Sequence, residues 1–172
     1  LDDTFVFVLS DNGYSFGEHR WAGKRCPYEA CVRIPFAVHS PGADGGERPP
    51  VVSIVDLAPT ILSVAGVASP GAFDGEPFVA WIEPRVGSSF ERRNEDVYLE
   101  WHGDARIPAW TAVRTADLKL VRYEDGFEEL YDIGGRIGSP DPWEVMNRVA
   151  DPRYAGALAR LRRFLDGHLG AG

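Results

Sequence analysis

The chain has 172 residues, 44% of them hydrophobic and 26% charged, which is enough for a buried core and typical of a globular protein. A net charge of -8 argues against non-specific binding to nucleic acid or to an anionic membrane surface, and an aromatic content of 12% argues against disorder. No apolar stretch is long enough to span a bilayer. The opening Leu1-Asp2-Asp3 has neither a Met nor the basic-then-apolar pattern of a signal peptide, so a piece of something longer is expected.

Thr4 to Leu9 is apolar at nearly every position and rich in β-formers, which predicts a strand buried on both faces, as in a parallel sheet covered by helices. It stops at the turn formers Ser10-Asp11-Asn12-Gly13. Pro27 to Arg33 predicts about two helical turns, with Glu29 and Arg33 paired at i, i+4. Cys26 and Cys31 read as free or loosely buried thiols, although five residues of separation also allow a bridge. Neither begins a Cys-x-x-Cys pair, so zinc is not expected. Ile34 to Ser40 predicts a second short strand, closed by Pro41-Gly42, and residues 41 to 50 predict an exposed loop.

Asp56 predicts the cap of a helix running to about Ala65, with Leu57, Ile61, Leu62 and Ala65 on its apolar face and Gly66 ending it. Residues 68 to 95 are loop-rich, and Glu91 to Glu95 read as a charged hinge. Val97 to Trp101, Trp110 to Thr115, Leu118 to Tyr123 and Glu129 to Ile133 then predict four strands. Hairpin signals stand at Thr115-Ala116-Asp117 and Glu124-Asp125-Gly126. Tyr154 to Leu169 predicts an amphipathic helix with Leu158, Leu161 and Leu165 inward. The pattern is α/β to about residue 90, followed over 91–172 by an antiparallel sheet with one long packed helix.

The chemistry is concentrated in Ser10-Asp11-Asn12-Gly13, Gly17-Glu18-His19 and Lys24, just beyond the first strand, where open α/β sheets place their ligands. Asp11 and Asn12 offer two adjacent hard oxygens, a pair suited to Ca²⁺ or Mg²⁺. Lys24 can return a positive charge to the same place, and cation plus ammonium suits an anionic ester. Each residue also has a plainer reading. Asp-Asn-Gly is a common turn, Lys24 alone is a solvated surface lysine, and His19 alone is a hydrogen-bonded structural histidine.

Taken in order along the chain, these blocks resemble the second half of a type I sulfatase, a family of the alkaline phosphatase superfamily. The resemblance continues through Tyr28-Glu29, Arg33-Ile34-Pro35, Val55-Asp56-Leu57-Ala58-Pro59-Thr60, Asp74-Gly75, Val113-Arg114-Thr115, Lys119-Leu120, Glu129-Leu130-Tyr131-Asp132 and Asn147. It implies the remainder of an alkaline phosphatase-like α/β sheet over residues 1–90 and a C-terminal subdomain over 91–172. It also implies that Asp11 and Asn12 are ligands of a divalent cation, usually Ca²⁺, and that Lys24 binds a sulfate oxygen. His19 would stand behind the catalytic groups, and His102, in Trp101-His102-Gly103-Asp104, could reach substrate from what otherwise reads as a hairpin end.

The family's nucleophile lies in Cys/Ser-x-Pro-x-Arg, where the first residue becomes formylglycine. No such run occurs in the 172 residues. The implied activity is therefore that of a longer sulfuric ester hydrolase acting on a small sulfate ester or a sulfated sugar, with formylglycine upstream. The isolated chain is expected to be inactive and to associate with itself through an opened sheet. Three other readings stand beside this one: a phosphodiesterase or phosphonate monoester hydrolase of the same superfamily, a non-catalytic truncated homologue acting as a binding module, and a generic α/β domain. Family members of the phospho-ester type often carry Asp-His where this chain has Asp11-Asn12.

Overall fold

The structure is a computed structural model that describes residues 1–47, 51–82 and 96–169, so the expected hinge at Glu91 to Glu95 lies outside the described residues. The chain divides into two compact units. One is Leu1–Asp11 with the described part of Ile34–Glu95; the other is Asn12–Arg33 with Asp96 onward. The units are thus discontinuous in sequence. The segment that carries Asn12, His19 and Lys24 belongs with the C-terminal sheet.

In the first unit, β1 (Val6–Leu9) pairs antiparallel with β4 (Phe36–His39), in the register Val6 with His39 and Leu9 with Phe36. This corrects the expectation of a parallel strand buried on both faces. Among the described residues β1 has β4 as its ladder partner, and Val8 is 63% exposed. An apolar run reports affinity for a covered position, not the direction of its neighbour. The helix after the loop also differs in its cap. Ser53 closes a capping box with Asp56 around a 3₁₀ turn, Ile54–Asp56, which runs into α2 (Leu57–Val64).

Asp56 is buried, and its carboxylate accepts from Ser53 N at 2.8 Å and Glu76 N at 2.9 Å. A Cβ at Gly75 would overlap the Val55 backbone, which explains glycine beside Asp74. The buried residues of α2 are Pro59 and Thr60, whereas Ile61 and Ala65 are exposed. Thr60 faces inward because its hydroxyl donates to Asp56 O at 2.6 Å and accepts from Phe78 N at 3.1 Å. Gly66, at φ 66°, ends the helix as expected, with Val67 N reaching Leu62 O. A short helix α3 (Val79–Ile82) follows.

The second unit is built on an antiparallel meander: β5 (Val97–Trp101), β6 (Trp110–Arg114), β7 (Leu118–Tyr123) and β8 (Glu128–Asp132). All four strands and both hairpins agree with the sequence reading. So does α4 (Ala155–Leu169), entered through a 3₁₀ turn whose cap is Asp151. Alternation along the strands assigns the faces. Val113, Leu118, Leu120 and Leu130 pack against Tyr154, Leu158, Leu161 and Leu165 of α4. Trp110, Ala112, Val121 and Tyr131 face the other way, onto the segment Asn12–Arg33. Both faces are covered.

That segment contains the two-residue ladder β2 (Ser15–Phe16) with β3 (Ala22–Gly23), and the single turn α1 (Glu29–Val32). α1 is half the expected length: Arg33 already has extended backbone, and Ile34, directly before Pro35, is disfavoured in a helix. Glu29 does not use Arg33 as its partner: its carboxylate is taken by Arg114 and Lys119 on the sheet.

At the end of β8, Asp132 is buried and accepts from the N–H groups of Arg136, Ile137 and Gly138 at 2.7–2.9 Å and from the Tyr154 hydroxyl at 2.9 Å. Burial alone would raise its pKa, but these donors reverse that and hold it below the ordinary value. The ion therefore stabilises the fold above the unfolded carboxyl's pKa of about 4, and the benefit fades as pH falls through the lower folded value. Asp132→Asn should cost about 2–3 kcal/mol at pH 7, and urea titrations across pH should show the gap to wild type narrowing below about pH 4. Leu161→Ala, in the core under α4, should cost about 2–5 kcal/mol in the same assay.

Candidate active-site segment

The sequence places Asn12, His19 and Lys24 in one loop-rich segment, and the structure brings two of them into contact. Asn12 Nδ2 donates to Gly13 O at 2.7 Å. Lys24 Nζ donates to Asn12 Oδ1 at 3.3 Å. A hard oxygen and an ammonium therefore converge across a separation of twelve residues. Asp11 precedes Asn12 in the chain and follows β1; its carboxylate accepts from the Ser10 hydroxyl at 3.5 Å.

His19 points elsewhere. Its ring stacks on Tyr28 at 3.8 Å between centroids, and Nε2 lies 3.0 Å from Trp143 O. A carbonyl can only accept, so Nε2 carries the hydrogen and Nδ1 is the ring's remaining basic atom. His19 and Arg20 both have positive φ, 53° and 62°, directly after Glu18. Glu18 holds that turn, because its carboxylate accepts from Phe16 N at 2.6 Å and from the buried Ser15 hydroxyl at 3.0 Å. Glu18 in Gly-Glu-His thus serves the loop backbone. His102 is 88% exposed in its side chain, and its Nε2 lies 3.6 Å from Glu100 Oε1.

What fixes the Asn12–Lys24 pair is α1, and mainly Cys31. Gly13 N donates to Cys31 O at 2.8 Å, and a Cβ at Gly13 would overlap the Ala30 carbonyl. Cys31 is disulfide-bonded to Cys26, with a Cα–Cα distance of 5.7 Å, where the sequence suggested free or loosely buried thiols. The chain from Cys26 turns back into α1, which contains Cys31, and so brings the two Cα atoms within bridging range, which spacing alone does not reveal. The Cys31 sulfur also packs 3.4 Å from Gly23 O; being bridged, it has no hydrogen to donate. On the other side of Lys24, Trp110 Nε1 donates to Arg25 O at 3.0 Å. Arg25 itself pairs with Asp104, whose carboxylate accepts from Arg106 N and Ile107 N and sits below its ordinary pKa for that reason.

Sequence reasoning missed the charges under α1. Glu29 receives Arg114 through Nε at 3.1 Å and Nη2 at 3.2 Å, and Lys119 Nζ at 3.0 Å. Lys119 is fully buried and also pairs with buried Glu144, whose Oε2 accepts from Glu29 N at 2.6 Å. Burial raises the pKa of Glu29, but Lys119 and Arg114 more than reverse that and leave it lowered. Glu144 is raised, because burial there outweighs the help it draws from Lys119. The available signal was strand alternation, which puts Arg114, Lys119 and Glu129 on one covered face.

Comparison with known proteins agrees with this architecture. Residues 17–168 match the family described as N-sulphoglucosamine sulphohydrolase, C-terminal, and the chain belongs to that family of sulfatase C-terminal regions in the alkaline phosphatase superfamily. N-acetylglucosamine-6-O-sulfatase of Bacteroides thetaiotaomicron is 30% identical over 172 residues, covering 96% of this chain and 30% of that protein. A solved structure of a protein in complex with its substrate D-glucosamine-2-N,6-O-disulfate superposes with a TM-score of 0.75 at 26% identity, covering 97% of this chain and 34% of that one. The phosphonate monoester hydrolase of Agrobacterium radiobacter shares the fold, with a TM-score of 0.72 at 23% identity over 96% of this chain and 35% of its own. The chain thus spans about a third of the length of the relatives it matches. Among the described residues no helix is long and apolar enough to cross a membrane.

Replacing both cysteines, Cys26→Ser with Cys31→Ser, should cost about 2 kcal/mol, the chain-entropy value for so short a loop, measured by urea unfolding against wild type.

Proposed function

We propose that the chain is the C-terminal portion of a metal-dependent sulfatase that hydrolyses sulfate esters of sugars. The observation that carries this reading is the convergence of Asn12 Oδ1 and Lys24 Nζ at 3.3 Å, in a chain of sulfatase family. In this account Asp11 and Asn12 offer a carboxylate and an amide oxygen to a divalent cation, Ca²⁺ or Mg²⁺. Bound there, the cation would neutralise charge on the sulfate oxygens. The residues fit that ion in part. Two adjacent hard oxygens suit it, yet Ca²⁺ takes six to eight, and among the described residues no three His, Cys, Asp or Glu side chains form a metal-holding group.

Lys24 donates to a sulfate oxygen as negative charge builds on it in the transition state. His19 acts indirectly, keeping its turn closed through Trp143 O and the Tyr28 ring. His102, exposed on the loop after β5, would meet the sugar. The formylglycine nucleophile is supplied from outside these 172 residues, since no Cys/Ser-x-Pro-x-Arg occurs within them. The sulfated sugar as substrate rests on the names of the relatives, two of which concern sulfated glucosamines.

The direct test begins by sequencing the coding region upstream of Leu1 and expressing whatever longer product it encodes. The longer protein should hydrolyse sulfated glucosamine. Lys24→Ala should lower its kcat/KM by about 10²–10³-fold, and Asn12→Ala should raise the Ca²⁺ concentration needed for half-maximal rate. A verified preparation of the 172 residues alone should show no turnover; robust activity from it would overturn this account.

A further inference from the structure

We propose that Glu29 is a positioning residue for the Lys24–Asn12 pair, acting through α1 and held in place by Lys119, Arg114 and Glu144. The significance of the pair rests on the proposed function, but the coupling itself rests on geometry alone. Glu29 touches neither Lys24 nor Asn12. It is the first residue of α1, and that turn makes the contacts that fix both.

The chain of contacts runs in two directions from Cys31. Its carbonyl takes Gly13 N at 2.8 Å, which sets the residue after Asn12. Its sulfur is bonded to Cys26 and packs on Gly23 O at 3.4 Å, which sets the residues on either side of Lys24-Arg25. A turn of four residues has too few internal hydrogen bonds to hold itself, so its position depends on what grips its ends. The grip is electrostatic. Arg114 forks onto the Glu29 carboxylate, Lys119 bonds the same carboxylate, and Glu144 accepts from the Glu29 backbone N–H. These groups are buried or nearly so, with Lys119 and Glu29 side chains 0% and 12% exposed, so water cannot take over either role.

A merely structural ion cluster would stabilise the unit without discriminating among its loops. A positioning cluster does more: weakening it moves Asn12 and Lys24 while the sheet and α4 stay in place. Glu29→Gln suits the test because it removes one charge and keeps the shape, and Lys119 retains Glu144 as its counter-ion.

The experiment is NMR on the isotope-labelled 172-residue chain, following the Asn12 side-chain amide and the Lys24 side-chain signals. Leu161→Ala, in the core beneath α4, serves as a destabilised control with no path to Cys31 through the cluster. Glu29→Gln should shift or broaden the Asn12 and Lys24 signals beyond their line widths, and Leu161→Ala should leave them in place in its folded population. Arg114→Lys, which keeps the charge and loses the fork, should give a smaller change in the same direction, and it carries the test if Glu29→Gln does not fold. Unmoved Asn12 and Lys24 signals in the folded variants, or equal movement in Leu161→Ala, would overturn the proposal. The readout needs no turnover. A longer protein without sulfatase activity would contradict the proposed function and leave this coupling intact.

Discussion

A fully buried lysine is the constraint on which the second unit depends. Lys119 is the second residue of β7, its side chain is inaccessible to water, and an ammonium there must be paired or it costs several kcal/mol. Its partners come from two directions: Glu29 from the segment Asn12–Arg33, and Glu144 from the loop after β8. The sheet therefore cannot be completed by its own strands and α4 alone. It draws in the segment that carries Asn12 and Lys24, and Arg114 strengthens the same link by a fork onto Glu29. Losing either carboxylate would leave the buried ammonium with a single counter-ion.

The remaining contacts of the segment are apolar or covalent and follow from that placement. Tyr28, Cys26 and Cys31 pack with Tyr131 and Ile133, and Val32 packs with Trp110, Ala112 and Val121. The Tyr28 hydroxyl reaches Glu129 at 3.2 Å, and the Tyr123 hydroxyl reaches it at 3.0 Å. Burial raises the pKa of Tyr28, Tyr123 and Tyr131, and the nearby Glu129 carboxylate adds to the rise, so all three phenols stay neutral. At the edge of this layer Lys24 Nζ meets Asn12 Oδ1 at 3.3 Å.

What could be read from the sequence divides along a physical line. Strands β5 to β8 and α4 were legible because their signals are local: alternation, turn residues at hairpin positions, and leucines at helical spacing. The pairing of Asn12 with Lys24 was legible only as a motif, since nothing local says that residues twelve apart will touch. Glu29 was misread because Arg33 is its near neighbour on a helix, whereas the partners that hold it lie about ninety residues away. Lys119 reads as one charge in an alternating strand, and its burial follows only once both sheet faces are covered. The cap at Ser53 lost to Asp56 in the reading for a related reason: a 3₁₀ turn inserted ahead of α2 moved the helix entry by three residues.

In the proposed function Asp11, Asn12 and Lys24 form the cation- and sulfate-binding side of a sulfatase. It is tested most directly by a crystal structure of the longer gene product grown with Ca²⁺ and a sulfated glucosamine. The expected result is a cation peak against the Asp11 carboxylate and Asn12 Oδ1, with Lys24 Nζ directed at a sulfate oxygen. A cation and sulfate bound elsewhere, with Lys24 remote from both, would contradict it.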